Sequence, residues 1–198
     1  MNYEEQKFSL PEMEGLSKNS IDQHLSLYAG YVKNFNAMTA LAGDLIKADA
    51  EKNAPAVAEL MRRRSFEFDG MRLHEYYFSQ WEKGASELGA SSALGKAIEK
   101  QYGKGDYCTQ EVRGVGMMRG PGWSILYFDP KGGQFLVGFT EQQHQGHFAT
   151  LPIILALDVW EHAYTIDYGV GGKAKYIDAF FNNLNWQVME ERFEKITS

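Results

Sequence analysis

The sequence predicts an α+β protein: an N-terminal α-helical hairpin, then a C-terminal α/β unit with a three-stranded antiparallel sheet flanked by helices. Three observations carry this reading. Up to about residue 81, apolar residues recur at three- and four-residue spacing, as on one face of a helix. Two aromatic and β-branched runs, Trp123 to Phe128 and Phe135 to Phe139, flank the turn Asp129-Pro130-Lys131-Gly132-Gly133 and predict a hairpin. A third run of strand length, Leu151 to Leu157, has a Pro only near its start and ends at Asp158.

In chain order, residues 1 to about 15 form an irregular lead-in that closes with Pro11 and Gly15. Ser17 is a candidate N-cap, followed by Ile21, His24, Leu25, Tyr28, Tyr31, Val32 and Phe35 on one helical face, with Gly30 a candidate kink. Ala37 to Lys52 is Ala/Leu-rich and predicts a second helix. Pro55 opens a short helix over Ala56 to Arg64, and Phe66 to Trp81 forms the next, with Gly70, His74, Tyr77 and Phe78 on its face. Small and polar residues from Gly84 to Ser92 mark a boundary between a helical hairpin domain (1–87) and an α/β domain (88–198). Beyond it, helices are expected over Leu94 to Tyr102 and Tyr107 to Met117, and two more, Lys173 to Asn182 and Trp186 to Glu194, close the chain.

With 198 residues, 44% of them hydrophobic and 14% aromatic, the chain can bury a sizeable core. A formal net charge of −6 argues against a general nucleic-acid binder. The single cysteine, Cys108, removes any intrachain disulfide and fits a reducing compartment. Neither a signal peptide nor a membrane-length apolar run is seen, so no membrane partner and a cytoplasmic location are expected.

The residues that carry chemistry converge on Asp158-Val159-Trp160-Glu161-His162. A carboxylate at the end of a buried strand costs several kcal/mol without a partner, on the order quoted for unpaired buried charges. A metal ion would supply one. Taken alone, His24 or His74 on an apolar helix face reads as a core histidine bonded to a carbonyl. With Asp158 and His162 they offer three imidazoles and one carboxylate, a mixed N/O set suited to iron or manganese and compatible with zinc. The aromatics Tyr31, Tyr77, Phe78, Trp81, Trp123 and Trp160 would form a dry shell around the ion, or plain core.

The chain resembles the iron/manganese superoxide dismutases over nearly its whole length. Asp158-Val159-Trp160-Glu161-His162-Ala163-Tyr164 matches that family's D-x-W-x-H-A-Y signature. His74 with Tyr76-Tyr77-Phe78 is similar to its H-x-F-Y-W motif, Gly120-Pro121-Gly122-Trp123 to G-x-G-W, and Asn182 to Trp186 to the closing N-x-x-N-W. The resemblance implies one iron or manganese ion per chain, held by His24, His74, Asp158 and His162, with superoxide as substrate and Tyr31 as the tyrosine at the substrate channel. It implies a homodimer in which Glu161 bonds to His162 of the partner subunit, with pairing of dimers into tetramers left open. An outer-sphere Gln or His tunes the bound solvent in this family. One of the two family positions is Gly70 here, so the role falls to the segment before the third strand, where Gly146-His147 favours His147 over its rivals Gln143 and His144.

Alternation between two redox states excludes zinc as the catalytic metal. Two departures from the family pattern stand out. The family's histidine four residues after the first ligand is Tyr28 here, which leaves a relay from Tyr31 through Tyr28 to a neighbour's Tyr164 in question. An arginine that lines the family's channel is replaced within Gly169 to Lys173, with Lys173 the candidate for its charge. Arg62-Arg63-Arg64 reads as a solvated helix face. The competing readings are a family member kept as a structural or metal-binding module, and an iron oxygenase or zinc hydrolase, which would need open coordination positions and a roomier pocket.

Overall fold

The computed structural model describes residues 2–104 and 106–198. Helix α1, Lys18–Asp49, starts where Ser17 accepts a hydrogen bond from the Ser20 amide at 3.1 Å. It runs unbroken for 32 residues, where the sequence predicts two helices. A β-carbon at Gly30 would meet nothing within 4 Å, so this glycine costs the helix only about 1 kcal/mol of propensity. Helix α2, Ala54–Ser79, likewise joins two expected segments, and Ser65 lies within it with its hydroxyl donating to the Arg62 carbonyl at 2.9 Å. Between them the Asn53 side chain donates to the Leu45 carbonyl at 2.9 Å, satisfying a group at the end of α1. The hairpin is therefore α1 against α2.

Ser92 caps α3, Ala93–Tyr102, and α4 spans Tyr107–Gly116. The sheet follows as β1 (Gly122–Asp129), β2 (Gln134–Glu141) and β3 (Ile153–Asp158), in the order β2-β1-β3 and antiparallel throughout. The β1–β2 turn closes with Gly133 donating to the Asp129 carbonyl at 2.7 Å, and Gly133 takes the left-handed φ of 66° that favours glycine. Register places Trp123 on β1 opposite Asp158 on β3. After β3 come a 3-10 turn, Glu161–Ala163, then α5 (Thr165–Tyr168), α6 (Lys173–Asn182) and α7 (Trp186–Thr197). Among the described residues no helix is long and apolar enough to cross a membrane.

Strand β3 lies at the edge of the sheet, and a side chain completes it. Gln80, just past α2, accepts from the Ala156 amide at 2.8 Å and donates to the Ala156 carbonyl at 2.9 Å. The half-buried Arg192 of α7 donates to Gln80, to the Ile154 carbonyl and to the Tyr76 carbonyl, placing a cation on the last turn of α2. Burial lowers its pKa to about 10, so it stays charged at neutral pH. These bonds hold the strand that ends in Asp158 against the helix that carries His74. Gln80→Ala should lower unfolding free energy by about 3 kcal/mol, because two buried backbone groups lose their partners together. Urea titration reads this directly, and a midpoint equal to wild type would contradict it.

Candidate metal centre

Four elements each send one side chain to a common point: His24 from α1, His74 from α2, Asp158 from the end of β3 and His162 from the 3-10 turn. Their ligand atoms all lie within 4.8 Å of one another. The Nε2 atoms of His24, His74 and His162 stand 3.2, 3.7 and 3.1 Å from a single oxygen, Oδ2 of Asp158. The other carboxylate oxygen accepts from the Trp160 amide at 2.8 Å, and the Asp158 carbonyl accepts from Tyr176 at 2.7 Å. Asp158 is thus fixed through Oδ1 and its backbone, which leaves Oδ2 facing the imidazoles.

His74 Nδ1 lies 2.6 Å from the Gly70 carbonyl. A carbonyl only accepts, so Nδ1 carries the proton and Nε2 turns a lone pair toward the carboxylate. The Nε2 atoms of His24 and His74 are buried and have no hydrogen-bond partner. Burial lowers the pKa of both rings, to about 3 for His74, and keeps them neutral. Burial works to raise that of Asp158, but the imidazoles of His162 and His24 outweigh it and hold the carboxyl well below the usual carboxylate range. Three imidazole nitrogens and one carboxylate oxygen facing a common point make the donor set of a cation site. The donor set fits iron, manganese or zinc.

Beside the four residues lies a hydrogen-bonded chain. Trp123 Nε1 donates to Gln143 Oε1 at 2.7 Å, and Gln143 Nε2 donates to the Tyr31 hydroxyl at 2.8 Å. One amide N–H of Gln143 and the Tyr31 O–H remain for a bound molecule. Burial raises the Tyr31 pKa far above neutrality, so the phenol keeps its proton. The Tyr31 ring packs flat onto Gly70, where a β-carbon would come within 2.6 Å of Cδ1. Trp160 stacks on His162 with ring centroids 5.7 Å apart.

Several sequence-based expectations are corrected here. Gln143, not His147, makes the bond to Tyr31. The turn Glu141 to Gln145, closed by bonds of 2.8 and 3.2 Å between these two residues, puts Gln142 at φ 54° and buries the Gln143 side chain completely. His147 instead lies against Tyr127 and the Gln143 carbonyl, and His144 against Phe66. For the relay through Tyr28, which the sequence leaves in question, no bond joins Tyr28 to Tyr31 among the described residues. The Tyr28 hydroxyl accepts from the Gln6 amide at 2.8 Å and donates to Glu75 at 3.2 Å, so the lead-in segment occupies it within the chain. Arg62 pairs with Glu59 on the surface as expected, but Arg63 lies 3.7 Å over the Phe66 ring, close enough that its charge acts on Tyr31.

Glu161 is exposed, His162 partly exposed and Tyr164 buried. All three border a cavity of about 770 Å³, with Met117, Met118 and Lys173 on the same wall. Lys173 Nζ donates to the Met118 carbonyl at 2.6 Å; burial lowers its pKa while the charge of Asp158 raises it. The roles of Tyr176 and Gln80 left no signal in the sequence, because each acts through the backbone of a strand distant in the chain.

Comparison with known proteins agrees with this geometry. The family model for iron/manganese superoxide dismutases, C-terminal domain, matches residues 90–192. A protein of Aquifex pyrophilus named superoxide dismutase (Fe) is 36% identical over 187 residues, 92% of this chain and 86% of that protein. Proteins of the same name from Cupriavidus metallidurans and Saccharolobus solfataricus are 35% and 32% identical, covering 92% and 91% of this chain and 90% and 86% of their own lengths. The chain belongs to the iron/manganese superoxide dismutase family of metal-dependent oxidoreductases.

Proposed function

We propose that this chain is a superoxide dismutase with one iron or manganese ion held by His24, His74, Asp158 and His162. The observation that carries the reading is the convergence of three imidazole Nε2 atoms on Oδ2 of Asp158, with the Gln143–Tyr31 pair alongside. When bound there, the ion would supply the one-electron redox chemistry by which one superoxide is oxidised to O₂ and a second is reduced and doubly protonated to H₂O₂. Everything else falls to the chain. Three neutral imidazoles and one carboxylate contribute a single negative charge, so the loaded centre is positive toward an incoming anion. Tyr31 holds a proton at its hydroxyl, and Gln143, clamped by Trp123, orients that hydroxyl and presents one N–H of its own. Trp123, Trp160 and Phe66 keep the surroundings apolar. The division into units 1–87 and 88–198 places two ligands on each.

The test is metal content beside dismutase activity, on protein expressed in iron-supplemented and in manganese-supplemented medium. Activity tracking one metal at about one ion per chain, or both, supports the reading. Stoichiometric iron or manganese without turnover favours a metal-binding module instead, a reading to which the internal commitment of Tyr28 lends its one observation.

The wall of the 770 Å³ cavity carries exposed Met117, Met118 and Val170. A second copy of this chain would cover it, bringing Glu161 to His162 of the partner subunit. Glu161→Ala should then weaken metal affinity by about ten- to a hundredfold and shift the protein toward monomer. Sedimentation and metal titration check this, and a variant unchanged in both would remove Glu161 from the interface. For steering, Arg63 joins Lys173 as a cation near the site. Arg63→Glu should lower kcat/KM several-fold at low ionic strength and lose most of that effect at high salt, where exposed charges are screened. A rate that ignores both substitution and salt contradicts it. The lone buried Cys108 fits a reducing compartment, and the cytoplasm is the location this reading assigns.

A further inference from the structure

His147 stands outside the chemistry just described, yet both of its ring nitrogens are engaged. Nε2 lies 3.0 Å from the backbone carbonyl of Gln143, and Nδ1 lies 2.8 Å from the Tyr127 hydroxyl. Because a carbonyl only accepts, Nε2 carries a proton and donates it to Gln143. Tyr127 sits in the middle of the central strand β1, buried, with its hydroxyl 3.4 Å from that of Thr140 on β2. The imidazole is therefore a strut between the sheet and the turn that carries Gln143. That turn has reason to need one. Gln142 stands at φ 54°, a conformation that costs a non-glycine residue about 1 kcal/mol or more and persists only where surrounding contacts hold it.

We infer that His147 is a positioning residue for the Gln143 side chain: it fixes the turn from outside so that the amide keeps its bonds to Trp123 and Tyr31 and its remaining N–H keeps its aim into the centre. This rests on the proposed function, in which Gln143 presents one N–H of its own beside the four candidate ligands. An amide N–H favours an anionic oxygen in front of it, and so favours the more oxidised state of the loaded centre. Losing its aim should raise the reduction potential.

The experiment compares full-length, metal-loaded His147→Ala, Gln143→Ala and the double variant, matched for metal content and thermal unfolding, by redox titration and by activity. His147→Ala should shift the potential upward, in the same direction as Gln143→Ala and by less, with activity down about tenfold. The double variant should match Gln143→Ala alone, since a strut matters only for what it supports. His147→Gln, whose amide can donate to the same carbonyl and accept from Tyr127, should restore both readings to within about twofold. If His147→Ala does not fold, Tyr127→Phe removes the strut's footing and should give a smaller upward shift. A wild-type potential in His147→Ala, or effects that add in the double variant, would overturn the inference. An unshifted Gln143→Ala would overturn both this and the role given to Gln143, while dismutation by the wild type would still stand or fall on its own measurement.

Discussion

Asp158→Asn is expected to reduce metal occupancy by more than about a hundredfold and dismutation with it, while leaving the fold intact. Asp158 is the only anion among the four candidate ligands, and its Oδ2 is the atom on which all three Nε2 atoms converge. Asparagine keeps an oxygen to accept from the Trp160 amide, and the backbone carbonyl keeps its bond from Tyr176, so the end of β3 stays in place. What disappears is the charge that opposes the ion's own. Circular dichroism and unfolding should match the metal-free wild type, and elemental analysis should find little iron or manganese. A variant that retains one ion per chain and full turnover would mean that the metal sits elsewhere.

The second large effect sets two opposing magnitudes against each other at Gly70. In an exposed helix, glycine to alanine gains about 1 kcal/mol of propensity. At Gly70 the new β-carbon would lie 2.6 Å from the Tyr31 ring, an overlap of the kind that costs about 1–3 kcal/mol and forces side chains to move. The clash wins, and the ring that moves is the one bonded to Gln143. Gly70→Ala should therefore unfold at lower temperature and lose about tenfold in activity, whereas Gly30→Ala, with nothing within 4 Å, should gain stability. A Gly70→Ala protein as stable and active as Gly30→Ala would show that the Tyr31–Gly70 contact carries no constraint.

Ligand candidates were legible because each is anchored to a strong local signal: His24 and His74 to helical periodicity, Asp158 to the end of an apolar run, His162 to its spacing from Asp158. The residue that bonds Tyr31 was not, because the segment between Phe139 and Leu151 has no such anchor. One left-handed residue, Gln142, decides that Gln143 turns inward and His147 supports it from behind. Tyr28 shares a helical face with His24 and Tyr31, but its partner, Gln6, lies in an irregular segment whose path no periodicity predicts. Arg63 and Arg62 are alike in sequence, and the placement of Phe66 under Arg63 separates them. The sequence predicts shorter helices where α1 and α2 are continuous, because the composition shifts at 36–37 and at 64–66 are weaker than the packing of two long helices.

The measurement that bears most directly on the whole account is the yield of products from superoxide, in the absence of any added reductant, by the metal-loaded wild type. Dismutation predicts one O₂ and one H₂O₂ for every two superoxide anions, sustained over many turnovers per ion and absent from Asp158→Asn. Consumption that stops after about one superoxide per ion, or that continues only with an external electron donor, would contradict it.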